Sequence, residues 1–285
     1  MLWAARFLWV AMAALGGAAL ATALEDTAGS GPSVALVLWW VAVGAGVVAL
    51  VVPSTIALTG LRMLAPALVV AVAAMVVGGA GTLLGGGALL AALAAAALVL
   101  SAEVGEACVQ ASAYGHEQRH PLRVPAAVLP AAVIVWAVWA TAAVAGAVLL
   151  ANARWWAGGV VATLAAGLTW VAARRLHVLS NRWLVLVPAG VVVHDSLVLG
   201  ETLMVPKHTV VRAGLAYAGT GALDLTGPAG GHAIEVEVKE MAMAHLAATK
   251  AHPQGKAVHV QAFLVAPARP GRALQAMAAN KVPVG

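Results

Sequence analysis

The five residues His116-Glu117-Gln118-Arg119-His120 match H-E-x-x-H. In that pattern two imidazoles one helical turn apart hold zinc and the glutamate acts as general base. The chemistry needs the pentapeptide inside a helix, so that both rings leave one face. Its flanks oppose a helix: Gly115 precedes the first histidine, and Pro121 disfavours helical backbone at His120. A third ligand would come from Glu106 or Glu103, one turn apart just upstream. Alternatively, the segment is a polar elbow between two apolar spans, with Glu117 paired to Arg119 or Arg123. Tyr114, Glu117, Arg119 and Arg123 are then candidate binding residues, no residue is assigned to catalysis, and no cofactor is expected. His116, His120 and Glu106 become metal ligands only in the protease alternative.

The rest of the chain decides what could position these groups. Of 285 residues, 62% are hydrophobic and 9% charged, whereas a soluble domain carries about 25% charged residues. So few charges cannot cover a soluble surface, but lipid needs no such cover. Residues 1–175 hold seven Lys and Arg with five Asp and Glu, while residues 176–285 hold nine and six. The composition therefore predicts a transmembrane helical domain over 1–175 and a water-exposed domain over 176–285. The net charge of +5 comes with no basic run, which argues against a nucleic-acid partner. The single Cys108 excludes an internal disulfide.

Six stretches are long enough to cross a bilayer: Phe7–Leu24, Val34–Leu58, Met63–Gly79, Ala88–Ala102, Ala126–Leu150 and Trp156–Ala173. In that layout Arg6, Arg62, Arg119, Arg123, Arg174 and Arg175 share one side and Arg154 alone takes the other. Arginine concentrates in cytoplasmic loops, so both termini are expected in the cytoplasm and the chain in a bacterial inner membrane. The first stretch also reads as a secretory signal, with Ala21-Thr22-Ala23 as its cleavage site. The spans carry almost no ionisable groups at depth, which disfavours ion-coupled transport. Gly44, Gly46, Gly78, Gly79, Gly85–Gly87, Gly158 and Gly159 allow close helix packing and also suit a homo-oligomer. Trp155, Trp156 and Trp170 stand where an interfacial aromatic belt would be.

From Ser180 the period changes. Trp183–Val187, Pro188-Ala189-Gly190 and Val191–Val193 read as two strands joined by a short turn. In His232–Lys239, Ile234, Val236 and Val238 alternate with Glu235, Glu237 and Lys239, which is the pattern of a half-buried strand. Further strand-like runs are Thr202–Val205, Thr209–Tyr217, Leu223–Thr226 and Ala257–Val265, followed by a helix over Arg272–Lys281. The expected class is a membrane all-α bundle plus a mainly-β sandwich or partly open barrel with a terminal helix. Residues 180–285 are expected to fold alone. Arg182, Lys207, Arg212 and Arg269 are expected on its surface, in water or against anionic lipid. The seven histidines from His177 to His259 form no convincing ligand frame, and Gly227–His232 reads as a turn before a strand.

The strand order with its terminal helix is similar to a pleckstrin-homology-like domain. Ser112–Pro125, with Arg174–Asp195 and Leu264–Leu274, resembles an uncharacterised family of actinobacterial multi-span membrane proteins. In that family the elbow reads S-A-Y-G-D-E-R-R-F-P-L-R. Glu117, Pro121 and Arg123 match it, while His116 and His120 stand where Asp and Phe would be. The resemblance implies that H-E-x-x-H is not shared chemistry, and it brings no activity. The function expected is non-enzymatic: a protein of the lipid bilayer whose β domain docks a cytoplasmic or membrane protein, or lipid. The alternative is a membrane zinc protease.

Overall fold

A chain in lipid must satisfy its backbone internally, so its spans form helices. A computed structural model describes residues 1–25, 29–249 and 252–285. Six of its helices are long and apolar enough to cross a membrane. They are α1 (Leu2–Ala23), α2 (Gly31–Val51), α3 (Thr55–Val77), α4 (Thr82–Leu100), α6 (Leu129–Ala151) and α7 (Trp155–Ser180), with a short α5 (Ala102–Ala111) after α4. The expected second span overshoots at its end. Pro53 interrupts it, and the Ser54 hydroxyl accepts the Ala57 N–H at 3.0 Å to start α3. The fourth span begins before the expected Ala88, at Thr82, and takes in Gly85–Gly87.

Contacts divide the chain into two units, Met1–Cys108 with Ala132–His177, and Val109–Ala131 with Val178–Gly285. The first unit holds the spanning helices. Trp9 of α1 lies on Gly46 of α2 and Trp39 of α2 lies on Gly16 of α1, and a Cβ at either glycine would collide with the indole. Each indole N–H is satisfied by the other helix's backbone: Trp9 donates to the Val43 carbonyl at 3.0 Å and Trp39 to Ala13 at 3.3 Å. Paired indole donors suit a medium without water. Further along, Met63, Trp139, Ala140 and Ala172 pack together, and Trp139 donates to the Thr169 hydroxyl at 2.7 Å. Thr59 and His177 are hydrogen-bonded at 2.9 Å, so this histidine is a packing group.

The second unit is built from two four-stranded sheets. The first runs β1 (Gln118–Pro121), β2 (Arg182–Val187), β3 (Gly190–Asp195), β4 (Leu203–Pro206), all antiparallel neighbours. The second contains β5 (Val210–Leu215), β6 (Leu223–Asp224), β7 (Ile234–Leu246) and β8 (Lys256–Val265) in the order β5-β7-β8-β6, with β6 parallel to β8. Leu184, Leu186, Val191 and Val193 from one sheet share a core with Ile234, Val236, Phe263 and Val265 from the other. Ala273 and Met277 of α8 (Pro270–Ala279) close it. This is the helical bundle with a mainly-β domain and terminal helix that the sequence implies.

Two sequence expectations fail here. The division at residue 175 omits Val109–Ala131, which belongs with the β unit because Gln118–Pro121 adds an edge strand to β2. The expected elbow is therefore a strand, and residues 180–285 lack a piece of their own sheet. Arg182 is not a surface cation either. It is fully buried against Asp195, with bidentate bonds of 2.7 and 2.5 Å.

Candidate functional site

The H-E-x-x-H segment does not form the helix that metal chemistry would need. His116 lies in a turn with Gly115 (φ 56°), and His120 lies in β1, opposite Leu184 and 6% exposed. Alternate strand residues face opposite ways, so His120 and Leu122 turn toward the core while Arg119 and Pro121 turn away. Among the described residues no group of three His, Cys, Asp or Glu is placed to hold a metal ion. Glu106, the third ligand of the protease alternative, is a buried residue of α5, in the other unit.

Three of the four candidate binding residues converge on the face of β1 that turns away from the core. The Arg119 guanidinium donates to Glu117 Oε2 at 3.0 and 2.8 Å, the pairing expected from the sequence. The Tyr114 N–H approaches the same oxygen at 3.4 Å. The guanidinium lies 5.7 Å from the Tyr114 ring centre and 5.0 Å from that of Trp183, contacts worth about 0.5–1 kcal/mol each at exposed sites. Gln110 locks the turn by donating to the Glu117 carbonyl at 2.9 Å and accepting the Arg119 N–H at 2.8 Å. Trp183 in turn stacks on His194, centre to centre 5.1 Å. The result is a row of Tyr114, Arg119, Trp183 and His194 on one side of three strands, with Tyr114 79% exposed at its end.

Arg123 does different work. It donates to the Gly230 and His232 carbonyls at 2.8 and 3.2 Å, fixing the turn before β7. Gly231 sits there at φ 88°, where a Cβ would also collide with the guanidinium. The Arg123 carbonyl accepts from buried Arg182 at 2.7 Å, and its N–H donates to Ala266 at 2.8 Å. Arg182 thus ties β1, β2 and β3 together.

Trp183 and His194 were not expected in this row, nor Gln110 as the residue that locks its turn. One signal was available. Trp183–Val187 is apolar without alternation, which marks a strand covered on both faces.

Burial lowers the pKa of His194 below the ordinary histidine value. Asp195 opposes that shift and the Arg119 charge adds to it. A histidine with a depressed folded pKa favours its neutral form, so the unfolded chain binds the proton more tightly. Its contribution is full above about pH 6.5 and is lost progressively as pH falls below that value toward the lower folded pKa. The protection of β2 and β3 amides against hydrogen exchange should therefore decline on acidification below about pH 6.5, and His194→Phe should flatten that decline. An unchanged pH profile in the variant would rule His194 out as the cause.

No family model, curated protein or solved structure matches the chain.

Proposed function

We propose that this is a non-enzymatic integral membrane protein of the bacterial inner membrane. Its β unit, on the cytoplasmic side, docks a protein or lipid partner. The observation that carries the reading is the row ending in Tyr114, an exposed ring backed by a guanidinium that Glu117 holds in place. Tyrosine, tryptophan and arginine on a preorganised support are the side chains that dominate recognition energies. The cytoplasmic placement rests on the arginine count of the span ends and connecting segments: with six spans, Arg6, Arg62, Arg174 and Arg175 fall in the same alternate set as both pieces of the β unit, and Arg154 in the other set. In this reading the two pieces share one side of the membrane, which suits β1 and β2 as hydrogen-bonded neighbours separated by two candidate spans.

The test is a photo-crosslinking residue in place of Tyr114, irradiated in native membranes. One discrete product, protein or lipid by mass spectrometry, is expected, and Arg119→Glu should abolish it. A product pattern matching that from the exposed control position Glu201 would count against docking at this face.

A further inference from the structure

We propose that the second sheet of the β unit binds an extended protein segment alongside β8 and neutralises one positively charged side chain of that segment. This deepens the docking reading, on which it rests, by naming the partner's chemistry. Across β5, β7 and β8, reaching the loop before β6, lies an open trough of about 650 Å³, lined by Val211, Thr220, Leu223, Glu235, Glu237 and Val238 and by Val258–Ala262 of β8.

The first support is an unfilled strand edge. β7 covers one side of β8 along its length, but β6 is two residues long and pairs only with Phe263 and Leu264. Among the described residues no strand pairs with the other side of β8 before Phe263. Such an edge presents N–H and C=O groups in the spacing of a strand, the arrangement that captures extended peptides by strand addition. The unpaired edge from Val258 to Ala262 runs four strand steps, roughly 13 Å, which is room for about five extended residues. In the loop before β6, Gly219 has φ 80° and the Thr220 hydroxyl donates to Glu235 of β7 at 2.7 Å.

The second support is the charge in the trough. Glu237 is paired with Arg212 at 3.0 Å. Glu235, two residues earlier on the same face of β7, is 7% exposed and lines the trough. Its Oε1 accepts the Thr220 hydroxyl, and among the described residues no cation stands against it. An arginine or lysine side chain from the added segment supplies one. The unpaired edge and the buried carboxylate are independent features, and one ligand satisfies both.

The probe is a fluorescein-labelled pentapeptide, Thr-Val-Arg-Val-Thr, titrated by anisotropy against the full chain in detergent micelles. Saturable binding is expected. Replacing the arginine by citrulline, or methylating the valine amides, should each weaken it at least about tenfold. On the protein side, Glu235→Gln keeps the acceptor of the Thr220 bond and removes the charge, and it should weaken binding by a similar factor. Gln261→Arg, at an exposed lining position, should do the same without touching the core, and an unchanged circular dichroism spectrum checks both variants. Equal affinity for the arginine and citrulline peptides, indifference to Glu235→Gln, or no saturable binding overturns the proposal. So does binding of free arginine amide as tight as that of the pentapeptide. A discrete cross-link at Tyr114 together with absent peptide binding would sink this inference alone. Peptide binding without that cross-link would sink the Tyr114 row alone.

Discussion

Arg182→Ala will destabilise the β unit by about 3–5 kcal/mol, the cost of leaving one member of a buried ion pair alone. Both side chains are fully buried, and the guanidinium reaches Asp195 through two bonds and the Arg123 carbonyl through a third. Removing it strands the Asp195 carboxylate, which retains the Leu197 N–H at 3.0 Å. The same change frees the carbonyl that anchors the segment after β1. The double variant Arg182→Met with Asp195→Leu should recover most of the loss, since buried pairs replaced by apolar groups of like volume are often neutral or better. Hydrogen exchange in the full chain reads this directly, because opening of the β unit is then separate from the spans. If Arg182→Ala leaves the exchange of β1–β3 within about 1 kcal/mol of the parent chain, the ion pair does not hold the sheet together.

The second large effect concerns which part of the chain makes a complete β unit. Residues 178–285 alone should give no cooperative melt. Residues 109–131 joined to 178–285 by a flexible linker replacing α6 and α7 should give one, with a mainly-β spectrum. The fragment lacks β1 and loses Leu122, 6% exposed in the shared core. Burying one leucine is worth about 1.5–3 kcal/mol. The missing strand pairing and the lost acceptor of Arg182 add to that. Together these approach the 5–15 kcal/mol by which whole domains are stable. A cooperative melt of the 178–285 fragment, matching that of the linked chain, would show that β1 is dispensable.

The sequence revealed much of this architecture and hid its most consequential strand. Long apolar runs announce spans whatever their neighbours, so all six were found, with errors only at ends such as Val51, where a proline and a capping serine decide. Most strands from Arg182 onward declared themselves by period and turns, although β7 runs on to Leu246, past the expected end at Lys239. β1 did not, because its reason for being extended lies in β2, sixty residues further on, and nothing local among Gln118–Pro121 reports a distant partner. The Glu117–Arg119 pair was legible because it is local.

Arg182 was misjudged, yet its partner could have been counted out. The two-residue turn Pro188-Ala189 sets Val187 opposite Gly190, and five steps back along each strand that register puts Arg182 opposite Asp195. Glu235 was assigned to solvent by alternation alone. Its burial comes from the loop carrying Thr220, which no periodicity encodes.

The strand order also constrains how the chain is made. β1 emerges from the ribosome before α6 and α7, and its partner β2 only after them. At about 5–20 residues per second, the 60 residues between Pro121 and Arg182 keep β1 waiting roughly 3–12 s. During that interval the α6–α7 hairpin has to enter the bilayer and return. If it fails to return, β1 and β2 are left on opposite faces of the membrane, and the bare edge of β2 with its apolar Trp183–Val187 run is open to proteases and to other chains. Closure of the first sheet thus requires that α6 and α7 bring the chain back to the side from which it left.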